Sequence, residues 1–284
     1  MTLHNLPAHA PRQELMDAVA HALPALDQPW QRLVGGRVNA LWRVGYTVIK
    51  QFQNAGGSPL FPNDAAAEAT ALSLLAPHGI APKLLAQGQD WLAYQYCPGN
   101  PWQSGTAQIA EVLTRLHHIP VPSTLFRAGA NGSAQLLRQA QAIAALCATA
   151  LNPPPPDNGV PPGPACLIHG DLVSGNLIAH NGKITLIDWQ CPAIGDPTED
   201  VATFLSPAMQ SLYRGAPLTV DEVNAFRAAC PPQIIRRYDQ LAEIYHWRMA
   251  AHCQWKAEQN APDYAQAMQL ELAALQRLAQ QHPG

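Results

Sequence analysis

The stretch His169-Gly170-Asp171-Leu172-Val173-Ser174-Gly175-Asn176-Leu177-Ile178-Ala179-His180-Asn181-Gly182-Lys183-Ile184-Thr185-Leu186-Ile187-Asp188-Trp189 decides how this chain is read. Near its centre, Asn181-Gly182 is a two-residue hairpin signal, because both positions of a type I′ turn require positive φ. Zipping that hairpin pairs Leu177 and Ile178 with Leu186 and Thr185, which predicts that Asn176 and Asp188 come to the same open end. Asp171 sits in the loop that leads into it.

Two oxygen-bearing side chains beside the loop that holds Asp171 suit a hard divalent cation. Magnesium takes oxygen ligands, keeps several waters and needs one or two protein groups plus phosphates. Asn176 and Asp188 are the expected metal residues. An aspartate five residues before a metal-binding asparagine is the arrangement of phosphoryl transfer, where it accepts a hydroxyl proton and orients the nucleophile, and Asp171 fits that role.

Working outward towards the N-terminus, residues 32–52 (RLVGGRVNALWRVGYTVIKQF) alternate apolar and polar and break at glycines, which predicts two or three antiparallel strands. Asn63 to Leu75 predicts a helix capped by Asn63 or Asp64, with Leu72 and Leu75 buried. WLAYQYC is a further strand ending at Pro98-Gly99, where a boundary is expected. The chain has only four lysines, and Lys50 lies among Val48, Ile49 and Phe52, where a solvated charge is not expected. Phosphoryl transfer in this arrangement calls for a glycine turn over the phosphates, a strand lysine and a helix glutamate. Gly35-Gly36 with Asn39, Lys50 and Glu68 are the candidates.

Towards the C-terminus the pattern is mostly helical. Helices are expected from Gly105 to His118 and from Ser133 to Leu151, followed by a proline-rich stretch (152–164) read as an exposed, stiff connector. Thr219 with Glu222 forms a capping box, Pro231-Pro232 opens a helix running past Trp255, and Asp263 to Gln281 forms a last one.

The bulk numbers narrow the field. The chain has 284 residues, 48% hydrophobic and 13% charged, which marks a folded protein. A net charge of −3 gives no reason to expect nucleic acid or a membrane as partner. No signal peptide or membrane span is evident, and the six cysteines show no Cys-x-x-Cys pair. A soluble, cytoplasmic protein, monomer or homodimer, is the expectation.

His169-Gly170-Asp171, then Asn176, Ile187-Asp188-Trp189, Gly195-Asp196-Pro197 and Asp200, resembles the aminoglycoside phosphotransferase and choline kinase-like family. The resemblance implies an α+β, two-lobed protein-kinase-like fold. Residues 1–98 would form a small antiparallel-sheet lobe with one helix that binds nucleotide, and residues 99–284 a larger, mainly α-helical catalytic and substrate-binding lobe. It also implies ATP and Mg2+ as cofactors, Asp171 as base, Asn176 and Asp188 on the metal, His169 and Asp200 as loop supports, and Gln95, Tyr96 and Cys97 as the hinge that meets adenine. Gly170 stands where many protein kinases carry arginine, and the short span from Asp188 to Asp196 leaves no room for an activation loop, so the acceptor is expected to be a small molecule.

By the same resemblance the acceptor pocket is lined by helices after the catalytic loop. There Tyr238, Asp239, Tyr245 and Trp247 suggest an amino alcohol such as choline or ethanolamine, since an ammonium wants an aromatic face and a carboxylate. Aminoglycosides, homoserine, thiamine and sugars are alternatives. So is packing of Tyr238, Tyr245 and His252, at seven-residue spacing, into the core. A catalytically inactive ATP-binding regulatory module is the alternative of another class.

Overall fold

The structure, a computed structural model, describes residues 10–34, 37–53 and 57–281. It divides into two compact units. The first takes in the chain to Ser58, Pro62–Pro98 and Thr185–Gln190; the second comprises Pro59–Phe61, Gly99–Ile184 and the chain from Cys191 onward.

In the first unit, helix α1 (Gln13–Ala22) precedes strands β1 (Trp30–Arg32), β2 (Ala40–Val44) and β3 (Thr47–Gln51), then helix α2 (Ala65–Leu75) and strands β4 (Leu84–Gln87) and β5 (Trp91–Gln95). The strands form one antiparallel sheet in the order β1-β2-β3-β5-β4. All five residues of β3 are buried, as a central strand covered on both faces must be. Leu15 and Val19 of α1 pack with Trp42, Val44, Ile49 and Trp91 in one core. Because side chains alternate along a strand, Ile49 on that face puts Lys50 on the opposite one. α2 begins as expected, with the Asp64 carboxylate accepting from the Ala67 amide at 3.0 Å.

This part therefore holds two helices where one was expected. α1 escaped notice because only Leu15 and Val19 of its ten residues are buried, a stripe too narrow to stand out among alanines.

The second unit carries helices α3 (Thr106–His117), α4 (Ser133–Ala144), α5 (Thr198–Leu205), α6 (Pro207–Arg214), α7 (Val220–Ala229), α8 (Pro232–Glu258) and α9 (Asp263–Gln281). Its short strands are β6 (Asn100–Pro101), β7 (Arg127–Ala128), β8 (Cys166–Ile168), β9 (Leu177–His180) and β11 (Ala193–Gly195). The turn after β9 has φ of 47° at Asn181 and 74° at Gly182, the geometry the Asn-Gly pair was read for. β10 (Lys183–Leu186), whose first two residues belong to this unit, returns beside β9 in the order β10-β9-β6. The Thr219–Glu222 capping box is present with both of its hydrogen bonds.

Two expectations are corrected. α4 ends at Ala144 rather than Leu151, because the Glu258 carboxylate takes the Ala148 and Thr149 amides at 2.7 and 2.9 Å and turns the chain away. The proline-rich stretch is a pinned strap rather than a spacer. Val160 accepts from the Ser133 amide, Pro161 accepts from Arg237, Gly163 exchanges two hydrogen bonds with Asn131, and Asn152 accepts from the Trp247 indole.

Candidate functional site

In the first unit the site is a buried cluster of charge. Lys50 is 1% exposed and its ammonium is held by Glu68, at 2.5 Å, and by Asp188. Alternation on β3 aims the lysine at α2, and Glu68 meets it from the first turn of that helix. Asp188 is brought there by a segment fastened within this unit: the Leu186 amide donates to Ile80, the Asp64 amide to Gln190, and the Trp189 indole closes back on Leu186 at 2.9 Å. Asp188 itself takes φ of 63°, a left-handed conformation that costs an aspartate energy and recurs at functional positions.

Burial is the largest influence on the Glu68 carboxyl and, with Asp188, pushes it up to about 7 against the opposing pull of Lys50 and the Trp189 amide. Lys50 behaves oppositely. Burial disfavours its charge, but Asp188 and Glu68 together raise its pKa well above the ordinary value, so the ammonium stays charged. A fully charged, nearly immobile ammonium is suited to phosphate oxygens.

In the second unit a carboxylate is held by amides instead. Asp200, in the first turn of α5, accepts from the His169 amide at 3.0 Å, the Gly170 amide at 2.9 Å and the His117 imidazole at 3.0 Å. Burial alone would raise its pKa; the hydrogen bond and charge of His117, His169 and the Gly170 amide outweigh it and hold the carboxyl below 3.8. Gly170, with φ of 78°, is required here, since a Cβ would lie 2.4 Å from the Cys191 carbonyl oxygen. His169 accepts from the Asp171 amide through Nδ1 at 3.2 Å.

Asp171 and Asn176 are thereby brought together. The Asn176 amide nitrogen donates to the Asp171 backbone carbonyl at 2.9 Å and to its carboxylate at 3.3 Å. This turns Asn176 Oδ1 away from Asp171, and among the described residues nothing donates to it. An uncommitted amide oxygen fits a hard cation. Asp188, with a side chain 31% exposed, offers the corresponding carboxylate in the first unit.

The remaining candidates fare unevenly. Gly35 and Gly36 lie outside the described residues. Asn39 is committed to protein: its nitrogen donates to Asn63 and Gln190, and its oxygen accepts from the Gln53 amide and Asn63. It ties the strand region to Gln190 rather than presenting an amide to a ligand. In the hinge stretch the Gln95 and Tyr96 amides are spent on the Lys83 and Tyr46 carbonyls, so a purine there would meet carbonyl groups or the Cys97 amide.

The four substrate candidates have packing partners. Tyr238 and Tyr245 are buried and stacked at 6.3 Å, Tyr245 hydrogen-bonds Thr198, Trp247 is buried on the strap, and Asp239 forms a two-pronged pair with Arg227. Their placement favours the packing alternative, with the seven-residue spacing marking a buried stripe of α8. Sequence reasoning missed His117 and Gln190, which brace Asp200 and Asn39 from 83 and 151 residues away. No local pattern could have revealed either.

Comparison with known proteins places this geometry. No curated protein matches the chain in sequence. Among solved structures, a choline/ethanolamine kinase family protein from Mesorhizobium loti superposes with a TM-score of 0.63 at 16% identity, covering 93% of this chain and 95% of that one. An ethanolamine kinase from Plasmodium vivax gives 0.65 at 14%, covering 96% and 92%. The streptomycin-ATP-APH(2")-IIa ternary complex gives 0.62 at 13%, covering 92% and 97%. These share the kinase-like fold, a small antiparallel sheet followed by a helical part. The model of the phosphotransferase enzyme family (APH) matches residues 29–244, and the chain belongs to that family.

Proposed function

We propose that this protein is an ATP-dependent kinase that transfers the γ-phosphate to a hydroxyl of a small molecule, with Asp171 as the base. The observation that carries the reading is the amide clamp of Asp200 on His169 and Gly170, which fixes the loop presenting Asp171 while Asn176 braces its carboxylate. The streptomycin-ATP complex of a structural relative supports ATP as donor.

In this reading Lys50, kept charged by Glu68 and Asp188, binds phosphate oxygens, and the Cys97 amide with the neighbouring carbonyls receives the adenine. Asn176 through Oδ1 and Asp188 through its carboxylate would hold magnesium, which supplies charge neutralisation on the transferred phosphoryl group. Asp171 accepts the acceptor's proton and aligns its oxygen for in-line attack. The amino-alcohol preference loses its original support, because Tyr238, Tyr245 and Trp247 are packed.

The test is acceptor-dependent ADP release by the purified protein with ATP, with and without a magnesium chelator, across hydroxylated metabolites. Release that requires both acceptor and divalent cation is expected. ATP binding without transfer to any acceptor would favour a regulatory module instead.

A further inference from the structure

Asp200 has a third donor besides the two amides of the catalytic loop. Of its two oxygens, Oδ1 takes the Gly170 amide at 2.9 Å, whereas Oδ2 takes both the His169 amide and the His117 imidazole, each at 3.0 Å. The residue is 0% exposed, so water does not stand in for a donor that is lost.

His117 reaches Asp200 from a separate element. It falls one turn after Leu113 on the buried stripe that includes Thr106, Ile109 and Ala110, and α3 packs against β8, the strand that runs directly into His169. An ionised carboxylate only accepts, so His117 Nε2 carries the proton in this contact. Burial favours the neutral acid at Asp200, and the hydrogen bond and charge of His117 stand first among the influences that oppose it.

α5 itself does not depend on this contact, because its start is fastened from α8. Arg237 Nε donates to Asp196 at 2.8 Å, the Thr198 and Tyr245 hydroxyls meet at 2.8 Å, and Arg248 Nη1 donates to Glu199 at 2.9 Å. Removing the imidazole leaves the helix anchored and loosens only the carboxylate in its first turn.

We propose that His117 is a positioning residue for phosphate transfer: it fixes Asp200 with one oxygen on each of the His169 and Gly170 amides, and so sets where the loop presents Asp171. The proposal rests on the kinase reading. Without the imidazole, Asp200 keeps two amides but loses the contact that stops it turning, and the loop strays from the position in which Asp171 is aligned. The Lys50 cluster, which lies in the other unit, is untouched. A role in packing alone would instead lower the melting temperature and leave kcat as it is.

Steady-state kinetics test it, with ATP and whichever of choline, ethanolamine, homoserine, glucose and streptomycin gives the fastest ADP release. His117→Phe keeps a ring without the donor, and His117→Gln keeps an N–H at the reach of Nε2. In His117→Phe, kcat should fall about tenfold or more, the size of a lost hydrogen bond to a charged group, with KM for ATP within about twofold of the wild type. His117→Gln should recover most of the loss. In an Asp171→Asn background His117→Phe should change the residual transfer by no more than about twofold, since residues that act as a unit do not add.

An unchanged kcat in folded His117→Phe, a His117→Gln no better than His117→Phe, a loss confined to KM for ATP, or an additive loss with Asp171→Asn would each overturn the positioning role alone. If His117→Phe does not fold, His117→Asn, whose amide is too short to reach Asp200, takes its place, and His117→Gln must exceed it by the same factor. Absence of acceptor-dependent release by the wild type, or release undiminished in Asp171→Asn, overturns the kinase reading instead.

Discussion

The two units hold their buried carboxylate clusters by different means. In the first, Glu68 and Asp188 are held by the Lys50 ammonium, charge against charge in a buried setting. In the second, Asp200 is held mainly by hydrogen-bond donors, two of them backbone amides, and through them it fixes the loop that carries Asp171. A charge-held cluster is cooperative and fragile, since removing one member strands the others unpaired. A loop fixed by amides can lose the side chain it presents and keep its shape.

The largest expected effect breaks the first arrangement. Lys50→Met leaves Glu68 buried beside Asp188 without a counter-charge, and should cost about 3–5 kcal/mol of stability as well as activity. Denaturant titration of wild type and variant measures it; an unchanged midpoint would mean that the cluster is not the keystone described. Gly170→Ala attacks the second arrangement through its backbone. The left-handed φ of 78° and the approach to Cys191 predict a loss of about 1–3 kcal/mol, with the loop displaced. Equal stability of the two proteins would contradict the close approach.

A smaller effect appears with pH. Burial is the main cause, with Lys256 and Arg248, that lowers the His252 pKa from 6.5 to about 3. The unfolded chain therefore binds a proton that the folded one refuses. This contribution to stability is fully present above 6.5 and is lost progressively as pH falls towards 3. By pH 5.5 the loss is about 1.4 kcal/mol, which His252→Phe should remove from the difference between melting curves at the two pH values. Glu68, raised by burial, works in the opposite direction between 4.5 and about 7, so the comparison has to be made between proteins and not across pH alone.

Much of this was legible in the sequence where the signal is local. Asn181-Gly182 announced its turn through the φ values it needs, Asp64 and Thr219 announced helix starts, and Lys50 stood out as a charge in an apolar strand. What stayed hidden depends on pairs far apart in the chain. The Asn39–Gln190 contact joins residues 151 apart, and Glu258 ends α4 from 110 residues away. Aromatics on α8 are ambiguous for another reason: a period of seven marks one helix face, and packing and ligand binding both use faces. Tyr238, Tyr245 and His252 are all buried along that face.

The contrast between the two units is tested most directly at Asp171. Asp171→Asn keeps the Asn176 and His169 contacts to the backbone, so melting temperature and ATP affinity should match the wild type while phosphate transfer falls about 10²–10⁴-fold. Transfer within a few-fold of wild type in a folded, ATP-binding variant would contradict the account.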